Sequence, residues 1–282
     1  MRIAVVGASG QLGSSMVEAC GVRHQVTRFD RASLDITSPD AVSEAMRGAQ
    51  PDAIVNCAGY NAVDAAETHP VEAMQANALA VRSLARSARE LGAALVQFST
   101  DFVLAGTASA PMTEDEAPNP RGVYAMSKLL GEWFAAEVPR AYVLRVESLF
   151  GAGPGGPDKG SLATIVNGLR AGQAVRVFHD RTVSPTFVHD ASAATLALLE
   201  RQSEPGLYHC VNSGAATWLE VAREAARLLG VDPALESVSV ADVTLPAARP
   251  VSCAMSNAKL AAATGSAMPT WQDALQRYLT SR

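Results

Sequence analysis

Nine residues near the N-terminus, VVGASGQLG, restrict what this chain can fold into more than any other stretch. They place Gly7, Gly10 and Gly13 directly after a β-rich run, RIAVVG, and at the opening of an apolar-periodic run, QLGSSMVEAC. A strand that feeds a helix through so tight a glycine turn reads as the first half of a parallel βαβ unit. Glycine also lets the backbone approach a ligand closely, and the free amides at Gln11 and Leu12 with the positive helix end favour a pyrophosphate. The spacing is G-x-x-G-x-x-G, not the G-x-G-x-x-G of many dinucleotide-binding loops, but the physical logic is shared.

The alternation continues. HQVTRFD, PDAVSEAMRG, DAIVNCAG, a helical pattern from about Val71 to Leu91, ALVQFST, a helix opened by Tyr124, and AYVLRV follow in turn. Short apolar strands alternating with amphipathic helices predict a doubly wound parallel α/β sheet covered on both faces. After Val146 the texture changes, and the glycine and proline loop GAGPGGPDKG cannot be regular structure. The division expected is residues 1–148 for the dinucleotide-binding sheet and 149–282 for a smaller, mixed α/β substrate region, interleaved with the first and lying over the sheet's carboxyl edge. In that region VRVF and PGLYHCVN read as strands, TVSPTFVHD as irregular, and Ser161 to Ala171, the run from about Ala191, TWLEVAREAARLLG and TWQDALQRYL as helices.

Composition narrows the partners. The net charge is −5, and arginine supplies every cation but Lys128, Lys159 and Lys259, scattered without a basic cluster. That leaves no footprint for nucleic acid and no polybasic membrane patch. Cys20, Cys57, Cys210 and Cys253 show no C-x-x-C spacing and read as small core thiols in a reducing compartment. No segment holds the roughly 18 apolar residues of a membrane span, so the expected location is the cytoplasm. The five histidines lack metal-ligand spacing, and no metal site is expected.

Three further elements gather around the loop. The second strand ends in Phe29-Asp30-Arg31, where the adenosine ribose of a dinucleotide would lie. A carboxylate there favours NAD and an arginine can meet the 2′-phosphate of NADP, so both cofactors stay open with a slight lean to NAD from Asp30. Asp35 and Ile36 either edge the adenine or belong to the cap of the next helix. In NCAGYNAVDAAE, Ala58 and Gly59 allow close backbone approach to a cofactor, flanked by Tyr60 and Asn61, while Cys57 reads as core. STD, Ser99 to Asp101, closes a strand at the carboxyl edge, where a hydroxyl can face a substrate carbonyl. Tyr124 and Lys128 stand four apart on one helix face, and a nearby cation is expected to lower the phenol's pKa from about 10 toward working pH.

GxxGxxG, NCAG, STD and YxxxK in this order resemble the extended short-chain dehydrogenase/reductase superfamily, with its Rossmann-type sheet. AVDAAE, STDFVLAG and YAMSKLLGE look like its dTDP-4-dehydrorhamnose reductase branch, and the likeness runs on through RTVSPTFVHDAS, PGLYHCVN, ARPVSCAMSNAKL and TWQDALQRYL. The resemblance implies hydride transfer from a nicotinamide to a sugar C4 carbonyl, with Tyr124 as proton donor and Lys128 on the nicotinamide ribose. Thr100 would hydrogen-bond the carbonyl, Asp101 would contact the sugar, and a homodimer is plausible by the same likeness. The branch usually reads RTSWVYG where this chain has RVESLFG, so Glu147 and Ser148 replace a serine and a flat tryptophan. Glu147 is either a solvated loop carboxylate or an acceptor that reshapes the substrate pocket. Magnesium-using members carry a Glu in the first helix where this chain has Ser14 and Ser15. Three functions follow: a nucleotide-sugar reductase, a related epimerase or dehydratase with bound NAD, or a non-catalytic dinucleotide-binding regulatory subunit.

Overall fold

The computed structural model describes residues 1–107 and 110–281. Arg2–Val6 (β1), Gln25–Phe29 (β2), Ala53–Asn56 (β3), Ala94–Thr100 (β4) and Ala141–Val146 (β5) form one parallel sheet in the order β2-β1-β3-β4-β5, with Gly206–His209 pairing in parallel beyond β5. The inner strands are apolar on both faces, as a sheet covered twice requires. Ile3, Val5, Val55, Val96 and Leu144 share one core with Met16 and Leu198, from the helices Gln11–Gly21 and Val188–Arg201. Ala4, Val6, Ile54, Leu95 and Val143 share the other with Val42, Leu84 and Ala135, from Pro39–Ala49, Ala80–Leu91 and Val123–Ala136. Alternate residues of each strand thus sort to opposite layers.

Beyond residue 148 the chain weaves back. Val188–Arg201 packs on Gln11–Gly21 and Gly206–His209 completes the sheet, while Phe150, Leu162, Val177, Trp218, Trp271 and Tyr278 build a separate core. TVSPTFVHD, expected to be irregular, is ordered: Thr182–Val183 pairs with Ala216–Thr217, Thr186–Phe187 pairs with Leu149–Phe150, and Val188 opens the helix. Pro185 interrupts the alternation only locally, and the flanking β-branched and aromatic residues find partners distant in sequence. The expected helix from Val71 to Leu91 is there as Pro70–Met74 and Ala80–Leu91, joined by a π turn at Gln75–Leu79. The glycine and proline loop crosses the first helix at close range. A Cβ on Gly153 would lie 2.4 Å from the Ser14 carbonyl carbon and one on Gly156 2.0 Å from Ser14 Oγ, and that hydroxyl accepts from Gly153 N at 3.1 Å. Small residues at Ser14 and Ser15 make room for this crossing. Among the described residues no helix is long and apolar enough to cross a membrane.

One ion pair pins the Tyr124 helix to β5. Arg145 Nε and Nη2 donate to Glu132 Oε1 and Oε2 at 2.9 and 2.8 Å, with side chains 2% and 7% exposed. A pair this deep penalises loss of one partner far more than loss of both. Glu132→Ala is expected to cost about 3–5 kcal/mol of unfolding free energy in a urea titration, because it strands a buried guanidinium. A cost below about 1 kcal/mol would contradict this.

Candidate active site

From β1 the chain leads out to β2, and from β3 it leads the opposite way to β4. The loops after these neighbouring strands therefore diverge and open a crevice at the carboxyl edge. It measures ≈ 1230 Å³. Its walls include Gly7, Gly10, Gln11, Leu12, Ala58, Gly59, Tyr60 and Asn61, as the sequence motifs imply. Gly7 has φ 79°, and a Cβ there would lie 2.7 Å from Ala58 N, so only glycine lets the two loops meet. Gly13 does not line the crevice, which corrects its assignment to the cofactor: its Cβ would fall 2.0 Å from Gly7 O, so it lets the helix start against the loop. Cys57, expected in the core, is only partly buried and lines the crevice, with its thiol pushed up by burial.

The Gln11–Gly21 helix fits a phosphate group. Its N-cap is Gly10 without a side-chain cap, and its first turn has no acidic residue. Ser38, Thr217 and Thr270 cap their own helices. The amides of Gln11 and Leu12 have no intrahelical acceptor and lie on the crevice wall at the positive end of the dipole.

Beyond the end of β2, Asp30, Arg31, Asp35 and Ile36 line the same crevice. Asp30 Oδ1 accepts from Ala32 N, Ser33 N and Ser33 Oγ at 3.0, 3.0 and 3.1 Å, which holds the carboxyl below its usual range. Asp35 Oδ1 accepts from Thr37 N and Oγ1, closing a second such turn.

Tyr124 and Lys128 project from Val123–Ala136 into the crevice. The helix begins where Glu67 Oε1 accepts from Val123 N at 2.9 Å, so the glutamate of VDAAE caps it. Lys128 Nζ donates to Phe98 O at 2.6 Å, tying the helix to β4 two residues before Thr100. Burial lowers this ammonium's pKa to about 8. Tyr124 shares the crevice with Thr100, whose Oγ1 donates to Asp101 Oδ1 at 2.9 Å and accepts from Phe102 N at 3.3 Å. Burial and then the Asp101 charge push the phenol above its usual value, against the pull of Thr100. The lowered phenol pKa expected from Lys128 is not found: burial of the phenol sets the direction, and the ammonium is bonded to a main-chain carbonyl.

Asn77, unmarked in the sequence, holds the NCAGY loop. Its Oδ1 accepts from Tyr60 N at 2.8 Å while its Nδ2 donates to Tyr60 O and Ser127 Oγ. It lies in the π turn, which frequently marks functional sites. A Cβ on Gly131 would sit 2.3 Å from Asn77 O, so that glycine lets the Tyr124 helix pack on the turn.

Thr100, Asp101 and Ser148 line the crevice, Ser148 with φ 46°. Glu147 does not. It is 2% exposed and Oε2 accepts from Ser184 N at 2.6 Å, so neither a solvated loop carboxylate nor a pocket-wall acceptor describes it. Burial and the Asp101 charge raise its pKa well above the carboxylate range. Arg181, Arg249, Trp218 and Lys159 also reach the crevice. RTVSPTF and ARPVSC carried two of them within the resemblance, but no spacing announces a return from so far along the chain. A smaller cavity of ≈ 210 Å³ shares Phe102, Tyr124 and Arg249 with the crevice. Asp64 of VDAAE accepts from Arg249 Nη2 at 2.7 Å and from Ala247 N at 3.2 Å, and so braces its wall.

A family model described as the RmlD substrate binding domain matches residues 1–282. The chain is 36% identical to a dTDP-4-dehydrorhamnose reductase of Streptomyces griseus over 282 residues, 97% of this chain and 91% of that one. The solved dTDP-4-dehydrorhamnose reductase of Clostridium acetobutylicum is similar at TM-score 0.94 and 31% identity, covering 100% of this chain and 99% of that one. That of Bacillus anthracis, solved in complex with NADP, has TM-score 0.94 and 28% identity at the same coverage.

Lys128 links the site to stability. The unfolded chain keeps this proton up to its ordinary value of 10.5 and the folded chain only to about 8. The group is therefore unfavourable to folding below about pH 8, and that penalty fades as pH rises toward 10.5. In denaturant titrations of the dinucleotide-free protein, wild type is expected to gain stability relative to Lys128→Met between those limits. A difference that stays flat with pH would contradict the buried ammonium.

Proposed function

Because the chain belongs to the RmlD substrate binding domain family, we propose that its crevice reduces the C4 carbonyl of a dTDP-linked 4-dehydro sugar, with Tyr124 as proton donor. It is an NAD(P)-dependent oxidoreductase acting on a sugar-nucleotide keto group, of the dTDP-4-dehydrorhamnose reductase kind. The observation that carries the role of Tyr124 is that one crevice takes in its phenol, Thr100 at the end of β4 and the uncapped helix end.

When bound, a reduced nicotinamide supplies the hydride. The residues do the rest. The Gln11 and Leu12 amides and the glycine loop hold the diphosphate, while Gly59 and Tyr60, clamped by Asn77, allow close approach beside it. Tyr124 passes its proton to the carbonyl oxygen as negative charge grows there, and its raised pKa keeps it protonated until then. Thr100 orients the oxygen. Lys128, anchored on Phe98 O, would hold the nicotinamide ribose. A dehydratase reading has less support, because Thr100 is followed by Asp101-Phe102 rather than by the Asp-Glu pair of dehydratase relatives.

For the cofactor we favour NADPH over NADH. Asp30 spends Oδ1 on its own turn, which leaves Arg31 as the cation available to a 2′-phosphate. Val71, Leu79, Met126 and Trp133 are exposed on adjoining elements and support a homodimer, and four unpaired cysteines support a reducing, cytoplasmic setting.

Two measurements test this reading. Oxidation of reduced cofactor with dTDP-4-dehydrorhamnose, followed by absorbance, should fall at least about 100-fold in Tyr124→Phe. Turnover that survives loss of the phenol oxygen would contradict the proton-donor role. Arg31→Ala should weaken NADPH binding about tenfold, roughly 1.4 kcal/mol, and Asp30→Ala should weaken NADH instead. If neither affinity moves, the ribose lies elsewhere.

A further inference from the structure

β4 and β5 are neighbours in parallel register, and their last paired residues are Thr100 and Val146. The next residue on each strand is an acid, so the sheet itself brings Asp101 and Glu147 together. One ligand atom each from Asp101, Glu147 and Cys253 lies within 4.8 Å of the others, and all three residues are buried. Each carboxyl has one oxygen engaged: Asp101 Oδ1 accepts from Thr100 Oγ1, and Glu147 Oε2 accepts from Ser184 N. The other oxygens, Asp101 Oδ2 and Glu147 Oε1, are buried without a hydrogen-bond partner.

The groups facing this pair carry too little positive charge for two carboxylates. Arg181 Nη2 stands 4.0 Å from Asp101 Oδ2, and its Nε is spent on Pro250 O. Cys253 donates its S–H to Pro250 O, and burial keeps that thiol protonated. Tyr124 is a neutral phenol, Arg249 is paired with Asp64, and Lys128 is bonded to Phe98 O. Two acids so placed beside one guanidinium cannot both ionise cheaply, and neutralising one of them costs least. By atom type the three side chains would also suit a divalent cation, but the nearby guanidinium and the protonated thiol oppose one.

We propose that Asp101 and Glu147 share one proton, and that this proton restores Tyr124 through Thr100 after each turnover. The proposal rests on Tyr124 as the donor. Once the phenol has given its proton to the sugar oxygen, the phenolate oxygen takes the hydrogen of Thr100 Oγ1–H; the Asp101 carboxyl, protonated on Oδ2, turns about its Cβ–Cγ bond to bring that oxygen to Thr100, and Oγ1 takes the proton from it. One O–H bond breaks and one forms at each step, no electrons change hands, and the pair regains its proton from water in the crevice. Glu147 touches neither substrate nor cofactor and acts as a positioning residue, holding the proton within reach of Asp101. Burial raises both carboxyls, and at Glu147 the Asp101 charge adds to it.

The test uses the full-length, cofactor-saturated protein. Infrared spectra at pH 7 should show a neutral carboxylic-acid C=O stretch in wild type that is lost in both Glu147→Gln and Asp101→Asn. A wild type without the band, or a band that survives either change, overturns the shared proton. Kinetics test the relay. In Glu147→Gln the first turnover, which uses a phenol already protonated, should stay within about twofold of wild type, while steady-state kcat falls about tenfold at unchanged KM and Glu147→Asp restores it. Equal loss in both phases would mean that Glu147 only supports the structure, and it overturns the relay. Absence of wild-type turnover with any keto sugar would count against the reductase reading and overturn the relay with it, whereas the infrared band reports the pair without substrate.

Discussion

A buried ammonium bonded to a main-chain carbonyl sets the geometry on which the rest of this site depends. Lys128 Nζ donates to Phe98 O, so the Tyr124 helix cannot slide along β4 without breaking a charge-assisted bond in a desolvated place. Because Phe98 stands two residues before Thr100, the same bond sets where the helix that carries the phenol stands relative to that hydroxyl. Glu67 caps the helix start, Asn77 joins its middle to the cofactor-side loop through Ser127, and Glu132 fastens its far end to Arg145. Tyr124 and Lys128 thus stand on a rigid helix held at several points, which is the arrangement that preorganised chemistry requires.

Local patterns carried a great deal. The glycine loop, the alternating strands and helices, the STD strand end and the Tyr-Lys spacing each express a short-range rule of backbone geometry, and each led to an element or residue in the crevice. What the sequence concealed is non-local. Asn77 is one polar residue in an amphipathic helix until a π turn points it at Tyr60. Arg181 and Arg249 reach the site only after the chain has passed through a second core.

Glu147 is the most instructive departure. By position it replaces a side chain of the substrate wall, and its charge suggested solvent or a ligand. The register of β4 on β5 turns it beneath Asp101 instead, and Ser184 and Cys253 close over it from later segments. The phenol shows the same lesson in energies. A cation four residues away predicts a lowered pKa, but the sequence does not state how much water the fold removes, and desolvation wins.

The central claim is that this crevice delivers a hydride to one carbonyl carbon of a nucleotide sugar. The most direct measurement is the position of label after reaction of dTDP-4-dehydrorhamnose with cofactor deuterated at the transferring carbon of its reduced nicotinamide. One deuterium is expected in the product, at C4 of the sugar. Deuterium at any other carbon, or a sugar product without it, would contradict hydride delivery to that carbonyl.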